Sequence, residues 1–447
     1  MAFGEELRVA RQQRGWSHSR LIRALKDEAE RQGLAIMGDA SLKTALSRWE
    51  NNRNVPDRIY RRLLGAVLGL PDAEDIAVRT SVYEQDIERA IDLLEVLTRW
   101  DHEDQPVFSP TTVLVDSDRV ISGYLFARSH SVNDFRPQIA SYVTEPEPVA
   151  SRIRAAAGGM MNADFEQGGG HVRPGLIQYF RHSVAPELCV DRPDGQRRAL
   201  FGAAAEVAQL LGWSAYDAGR QAVATRYFTL GLRLADEACD QMMGARLLAN
   251  LSHQYNALGK YQQALTVSRA AQAALRGRGT ARVETMCVMM EVRALASMGD
   301  ERGAALAIGH AERLFDRGAD EEPAWISYYD AAEFSGDLAH AFRDLGAVKN
   351  SREFASAALT PATPRRTRAF IQIVDAEAAM RTGDIEEAAH LAAAALSSVG
   401  ILQSERYLRY LRRFSATGPV LNHPVMAEFV RELRDRKVLT DRASIRT

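Results

Sequence analysis

Two rows of side chains, held to one spacing, have the types needed to bind a polar ligand. Five glycines set the register: Gly219, Gly259, Gly299, Gly346 and Gly383. Six residues before each stand Trp213, His253, Arg293, His340 and Glu377, and three before each stand Tyr216, Asn256, Ala296, Arg343 and Met380. A side-chain amide such as Asn256 carries a donor and an acceptor side by side and can satisfy a peptide bond, while Arg293 and Arg343 can meet a carboxylate. Trp213 and His253 suit packing between helices equally well. The candidate ligand residues are therefore Trp213, Tyr216, His253, Asn256, Arg293, His340 and Arg343. Catalysis is the class least favoured, because histidines and carboxylates are scattered without metal-ligand spacing, a nucleophile turn or a phosphate loop. No cofactor or metal is expected.

The elements that would carry these rows follow from the glycines themselves. They recur at steps of 40, 40, 47 and 37 residues, each between two alanine-rich helical stretches. Such a cadence marks an array of helical hairpins, in which each hairpin packs only on its neighbours. Tyr255, Leu295 and Phe342 precede their glycine by four residues and Tyr216 by three, and Ala224, Ala264, Ala304 and Ala388 follow by five. Small residues there let two helices cross closely; Ser351 stands in the equivalent place after Gly346. The segments resemble tetratricopeptide repeats, whose helix A faces line a concave groove. That layout implies an extended peptide, a protein or a small molecule as effector.

The first seventy residues read differently. Phe3, Leu7 and Ala10 share a helical face, Gly15 ends that helix, and Ser17 caps a second in which Leu21, Ile22 and Leu25 turn inward. A third helix is expected from Ser41 through Glu50, with Leu42, Ala45, Leu46 and Trp49 on one face, and a fourth over 58–68, with Ile59, Leu63, Leu64 and Val67. The ordered set Leu7-Arg8, Arg11, Gly15-Trp16-Ser17, then Leu46-Ser47-Arg48-Trp49-Glu50-Asn51, Arg53 and Pro56, then Leu63-Leu64 and Leu68-Gly69-Leu70 resembles the Cro/repressor-type helix-turn-helix, the XRE family. The resemblance implies that the third helix enters the major groove of double-stranded DNA. It places Lys43, Thr44 and Arg48 at base-reading positions with Ser41 and Ser47 beside them, and Arg14, Arg20, Arg53 and Asn54 against phosphates. His18 stands where the family usually has a glutamine that touches the DNA backbone, and residues 27–40 lengthen the second-to-third helix link. Arg11 and Glu50 resemble the family's internal ion pair. Taken alone, Lys43, Arg48 and Arg53 would read as a solvated basic face.

Charge is divided in keeping with that reading. The 447 residues carry a net −2, yet residues 1–70 hold 13 Lys/Arg against 8 Asp/Glu, a net of +5 that leaves −7 for the remainder. No apolar run is long enough to span a bilayer and no leader segment is evident, so a cytoplasmic protein with no membrane partner is expected. The three cysteines, Cys189, Cys239 and Cys287, are expected to be buried free thiols. Residues 76–100 read as one amphipathic helix, 120–126 as helix or strand, and 168–170 as a glycine hinge or tight turn. Pro424 is expected to begin a final helix whose Val425, Phe429, Val430 and Leu433 cover the end of the array or mediate dimerisation.

The expected fold is all-α: an N-terminal helix-turn-helix domain (1–70), a helical connecting region (71–195), a tetratricopeptide-like α-solenoid (196–418) and a capping or dimerisation helix (419–447). The run Gly168-Gly169-Gly170-His171-Val172-Arg173, with Leu211-Gly212-Trp213, Tyr216-Asp217 and Trp325-Ile326, resembles actinobacterial regulators that join this head to a repeat-rich body. The layout also resembles peptide-responsive regulators of Gram-positive bacteria. A homodimeric, ligand-sensing DNA-binding regulator is therefore expected; the alternative is a repeat scaffold for partner proteins with a vestigial head.

Overall fold

A computed structural model describes residues 14–31, 36–51, 87–102, 148–275, 278–318, 321–417 and 423–439, with residues 7, 8, 10–12, 56, 60, 63, 64, 67, 68, 121 and 124. The chain divides into two compact units, 1–81 and 82–447. It is all-helical among the described residues, apart from one isolated bridge between Val399 and Leu402. None of the described helices is long and apolar enough to cross a membrane.

In the first unit, Gly15 stands at φ 64°, and its N–H and that of Trp16 bond back to the carbonyls of Gln12 and Arg11, at 2.8 and 3.1 Å. That double closure stops a helix where only glycine is unstrained. Ser17 Oγ accepts from the Arg20 N–H at 3.2 Å and opens α1 (His18–Arg31). Next comes α2 (Asp39–Glu50), which begins two residues earlier than the sequence implies. Its N-cap is Gly38 in an extended conformation, with the Asp39 carboxylate in the positively polarised first turn, so Ser41 lies inside the helix rather than capping it. Leu21, Ile22, Leu25, Leu42, Leu46 and Trp49 close one core with Leu7, Tyr60, Leu63 and Leu64. Arg53, Asn54 and Ile59 lie outside the described residues, as does the stretch before Ile87 of the expected 76–100 helix.

In the second unit, α3 (Ile87–His102), α4 (Pro148–Gln167) and α5 (Gly169–Tyr179) lead through a π-helical turn to the short α6 (Ala185–Leu188). Five antiparallel hairpins follow: α7 (Asp194–Asp217) with α8 (Gln221–Glu237), α9 (Gln241–Ala257) with α10 (Tyr261–Leu275), α11 (Ala281–Ser297) with α12 (Glu301–Asp316), α13 (Ala331–Leu345) with α14 (Val348–Ala358), and α15 (Arg365–Arg381) with α16 (Ile385–Leu396). Each turns at one of the five glycines, at φ between 74 and 83°. The residue after each glycine donates its N–H five residues back, as Lys260 does to the Tyr255 carbonyl at 2.9 Å, so the same left-handed cap is used five times. Ala224, Ala264, Ala304 and Ala388 are fully buried where the helices cross. Ser351, equally buried, fits because its hydroxyl bonds the Ala339 carbonyl at 3.0 Å.

The ends of the row of hairpins are tied together. Helix α4 packs on both α7 and α15, and α17 (Glu405–Ser415) also reaches α7. Of the two alternatives for residues 168–170, the structure has the tight turn, with Gly168 at φ 86° between α4 and α5, and not the hinge. Gly170 donates to the Gln403 carbonyl at 2.8 Å and Gln403 donates to the Gln167 carbonyl at 2.8 Å. A Cβ on Gly169 would stand 2.8 Å from Ser214 Cα, and one on Gly170 2.7 Å from Gln403 O, so the glycines serve close backbone approach. Finally α18 (Pro424–Asp435) buries Met426, Phe429, Val430 and Leu433 on a core shared with α15, α16 and α17. Val425 is 40% exposed; the helical phase set by Pro424 turns Met426 inward instead. Of the cysteines only Cys287 is buried: Cys189 follows the end of α6, and Cys239 takes a left-handed turn position at φ 55° on the surface.

Candidate functional site

On the first unit the candidate surface is the outer face of α2. Period 3.6 buries Leu42, Leu46 and Trp49, which leaves Ser41, Lys43, Thr44, Ser47 and Arg48 exposed on one side. Lys43 and Arg48 form no ion pair with any described residue. The C-terminal end of α2 is held by Glu50, 5% exposed, which takes Arg11 Nε at 2.6 Å and Arg11 Nη2 at 2.9 Å while Arg11 Nη1 bonds the Trp16 carbonyl at 2.8 Å. Burial alone would raise the Glu50 carboxyl, but hydrogen bonds from Arg11 and His18 outweigh it and hold it below its ordinary range. His18 is thus drawn inward: its Nε2 lies 3.0 Å from Glu50 Oε2, so it braces α2 rather than standing free for a phosphate. Arg14 and Arg20 are exposed, and the Arg20 guanidinium lies 5.4 Å from the Trp16 ring centre.

In the second unit the leading helices of all five hairpins, with α4 and Arg406 of α17, surround a chamber of about 120 Å³. Trp213, His253, Arg293 and His340 line it. Tyr216, Asn256 and Arg343, three residues nearer the turns, do not. Tyr216 Oη bonds His253 Nδ1 at 3.1 Å, Asn256 Nδ2 bonds Ser297 Oγ at 3.1 Å, and Arg343 Nη2 meets Asp344 at 2.7 Å. The first two tie neighbouring hairpins, and Arg343 reaches the next one through Glu377, 3.5 Å from its Nε. Because α4 and Arg406 occupy the space between α7 and α15, the expected open groove becomes a cavity too small for an extended peptide.

The lining is densely charged and short of partners. Arg293 Nη1 meets Asp337 Oδ1 at 3.0 Å, and Tyr329 Oη donates to Asp337 Oδ2 at 3.0 Å. Arg366 pairs with Asp164, and its guanidinium lies 4.6 Å from the Phe165 ring centre; Arg406 Nε meets Asp217 Oδ1 at 3.0 Å and lies 4.2 Å from the Phe370 centre. Burial, with Asp217 adding to it, pushes Asp164 up to about 6 despite Arg366. Burial and then Asp337 push Glu333 up to about 7. His253 and His340 are held neutral, well below the ordinary histidine value, by burial first and then by the surrounding arginines. Trp213 Nε1, Gln209 Oε1, Asp164 Oδ1, Arg246 Nε, Arg293 Nε and His340 Nδ1 are buried without a hydrogen-bond partner among the described residues. Each such buried donor or acceptor costs about 1–3 kcal/mol when left unmet, so the lining is chemically suited to polar contents, water included.

Several of these residues lie outside the two rows counted near the turns. Arg246, Met286, Glu333 and Phe370 stand thirteen residues before their glycines, and Asn250, Met290 and Asp337 nine before. Those are the same helical face, one and two turns earlier, so the period already contained them. Asp164, Phe165 and Arg406 come from elements outside the hairpins and carry no such signal. No family model and no curated protein matches this chain.

Proposed function

We propose that this chain is a sequence-specific DNA-binding transcriptional regulator, acting as a homodimer, with an effector chamber inside its repeat unit. The observation that carries the reading is the exposed row of Ser41, Lys43, Thr44, Ser47 and Arg48, set on a helix whose other face is fixed by Leu42, Leu46, Trp49 and the Glu50 clamp. A rigid helix with a polar, cationic edge suits the major groove, where Arg and Lys pair with guanine O6 and N7 and a threonine methyl meets thymine. In this reading the first unit is a helix-turn-helix of the Cro/repressor type and the five hairpins are tetratricopeptide-like. Arg14 and Arg20 hold phosphates, and Arg48 and Lys43 read bases.

An effector acts by preferring one curvature of the closed array over another, which shifts the population of dimers whose heads match half-sites about 34 Å apart. The chamber favours a small molecule over an extended peptide. Selection of duplexes from a random library by the full-length protein tests the proposal. A recovered consensus with two related half-sites is expected, and recovery of random sequence at every salt concentration contradicts it.

A further inference from the structure

Arg246 is the one arginine of the chamber with no carboxylate partner among the described residues, although it is only 4% exposed. Every other cation there is matched: Arg293 by Asp337, Arg366 by Asp164 and Arg406 by Asp217. Its contacts are neutral. The guanidinium lies 4.7 Å from the Trp325 ring centre and 5.8 Å from that of Tyr328, and Nη2 reaches Met161 Sδ at 3.7 Å. Its Nε has no hydrogen-bond partner among the described residues. Glu206, the carboxylate whose field reaches it, is occupied by Arg154, whose Nε lies 2.8 Å from Glu206 Oε1. Glu333 bonds Thr367 and keeps its proton to about neutrality, so it leaves the excess charge in place.

A desolvated, uncompensated guanidinium is costly, and a bound anion relieves that cost. The position is also reachable. Arg246 lines a second cavity of about 250 Å³, shared with Met161 and Leu210, that runs between Glu206, Asp240 and Trp325 toward the 42% exposed side chain of Arg154. Arg246 thus stands where an outer vestibule meets the inner chamber. Among its charged groups the inner chamber also presents apolar and polarisable side chains: Phe165, Met286, Met290 and Ile371.

From this geometry we infer that the effector is a small organic carboxylate, its anionic end forked by Arg246 and its apolar body seated against Phe165, Met286 and Met290. The inference deepens the proposed effector role of the second unit and rests on that reading for its regulatory meaning. Trp213 Nε1–H and Arg293 Nε–H remain as donors for a further acceptor on the guest.

Phenylacetate and its neutral counterpart phenylacetamide are the probes, measured by calorimetry and thermal shift on the full-length protein. Phenylacetate at saturation raises the melting temperature by about 3 °C or more, and phenylacetamide binds at least about tenfold more weakly. Arg246→Met removes the preference between the two, and Arg246→Lys, which keeps the charge but loses the fork, retains part of it. The wild-type comparison of carboxylate with amide stands even where a variant does not fold. No phenylacetate binding, equal affinity for both probes, or wild-type affinity in Arg246→Met overturns the assignment. DNA binding is read in the same samples: DNA affinity without phenylacetate binding sinks the anion site alone, and phenylacetate binding without DNA affinity sinks the regulator reading alone.

Discussion

Asp217, the last residue of α7, is the fastener of the closed array, and replacing it with alanine tests that closure. It is fully buried. Its Oδ2 accepts from the Gly169 N–H at 2.9 Å, and its Oδ1 accepts from Ser404 Oγ at 2.9 Å and Arg406 Nε at 3.0 Å. Breaking a buried ion pair from one side costs about 3–5 kcal/mol, and an orphaned buried N–H adds about 1–3 kcal/mol. Against this, the Arg406 guanidinium keeps the faces of Phe370, Trp213 and Tyr216, with ring centres at 4.2, 5.2 and 5.4 Å. Those ring contacts are present in both proteins and cancel in the difference; they only keep the stranded charge partly compensated, which places the cost at the low end of the summed range. The net expectation for Asp217→Ala is a loss of about 4 kcal/mol in urea unfolding followed by tryptophan fluorescence. In the double variant Asp217→Ala with Arg406→Ala the two losses fall short of additivity by about 2 kcal/mol, because the second removal takes away the charge that the first left unpaired. A loss below about 1 kcal/mol, or strict additivity, refutes the view that this contact closes the array.

Other consequences follow from the same geometry. Glu50→Gln loosens α2, read as faster hydrogen exchange of its backbone amides in the full chain. Because the folded Glu50 carboxyl lies below the ordinary value of 4.5, the stability it contributes is complete above that value and disappears as pH falls through the lower folded one, so the variant differs from wild type at neutral pH and converges with it in acid. Gly383→Ala places a Cβ at φ 83° with open space around it, so strain alone should cost about 1–2 kcal/mol in the urea midpoint; no change means that the turn is not held left-handed. Glu333, pushed up to about 7, loses its proton as pH rises through neutrality and adds a negative charge near the guest. Phenylacetate affinity should therefore fall several-fold between about pH 6 and about pH 8, and Glu333→Gln should weaken that trend, leaving the part that Asp164, pushed up to about 6, contributes at the acid end.

Much of this was legible because local chemistry enforces it. A left-handed turn residue demands glycine, so Gly15 and the five turn glycines mark helix ends at positions that tertiary contacts do not alter. The inward faces of α1 and α2 follow from apolar period, and the Arg11–Glu50 pair follows from the family resemblance. What the sequence hid is long-range. Nothing local shows that α4 crosses from α7 to α15, or that Gln403 lies on residues 168–170; the glycines there read as a hinge because the backbone they admit lies more than 230 residues away. His18 reads as outward in the sequence because its inward partner, Glu50, comes 32 residues later and already pairs with Arg11. Arg246 lies outside the two rows nearest the turns, and only the closed array brings its earlier turn to the same cavity.

The proposed regulation requires α2 to meet DNA, and a fluorescence-anisotropy titration with the selected duplex over a series of salt concentrations measures that directly. Affinity falling steeply and linearly on a logarithmic salt scale, with Arg48→Ala about 1–3 kcal/mol weaker and tolerant of one altered base pair, is the expected result. Salt-independent affinity, or Arg48→Ala binding as tightly and as selectively as the unaltered chain, contradicts it.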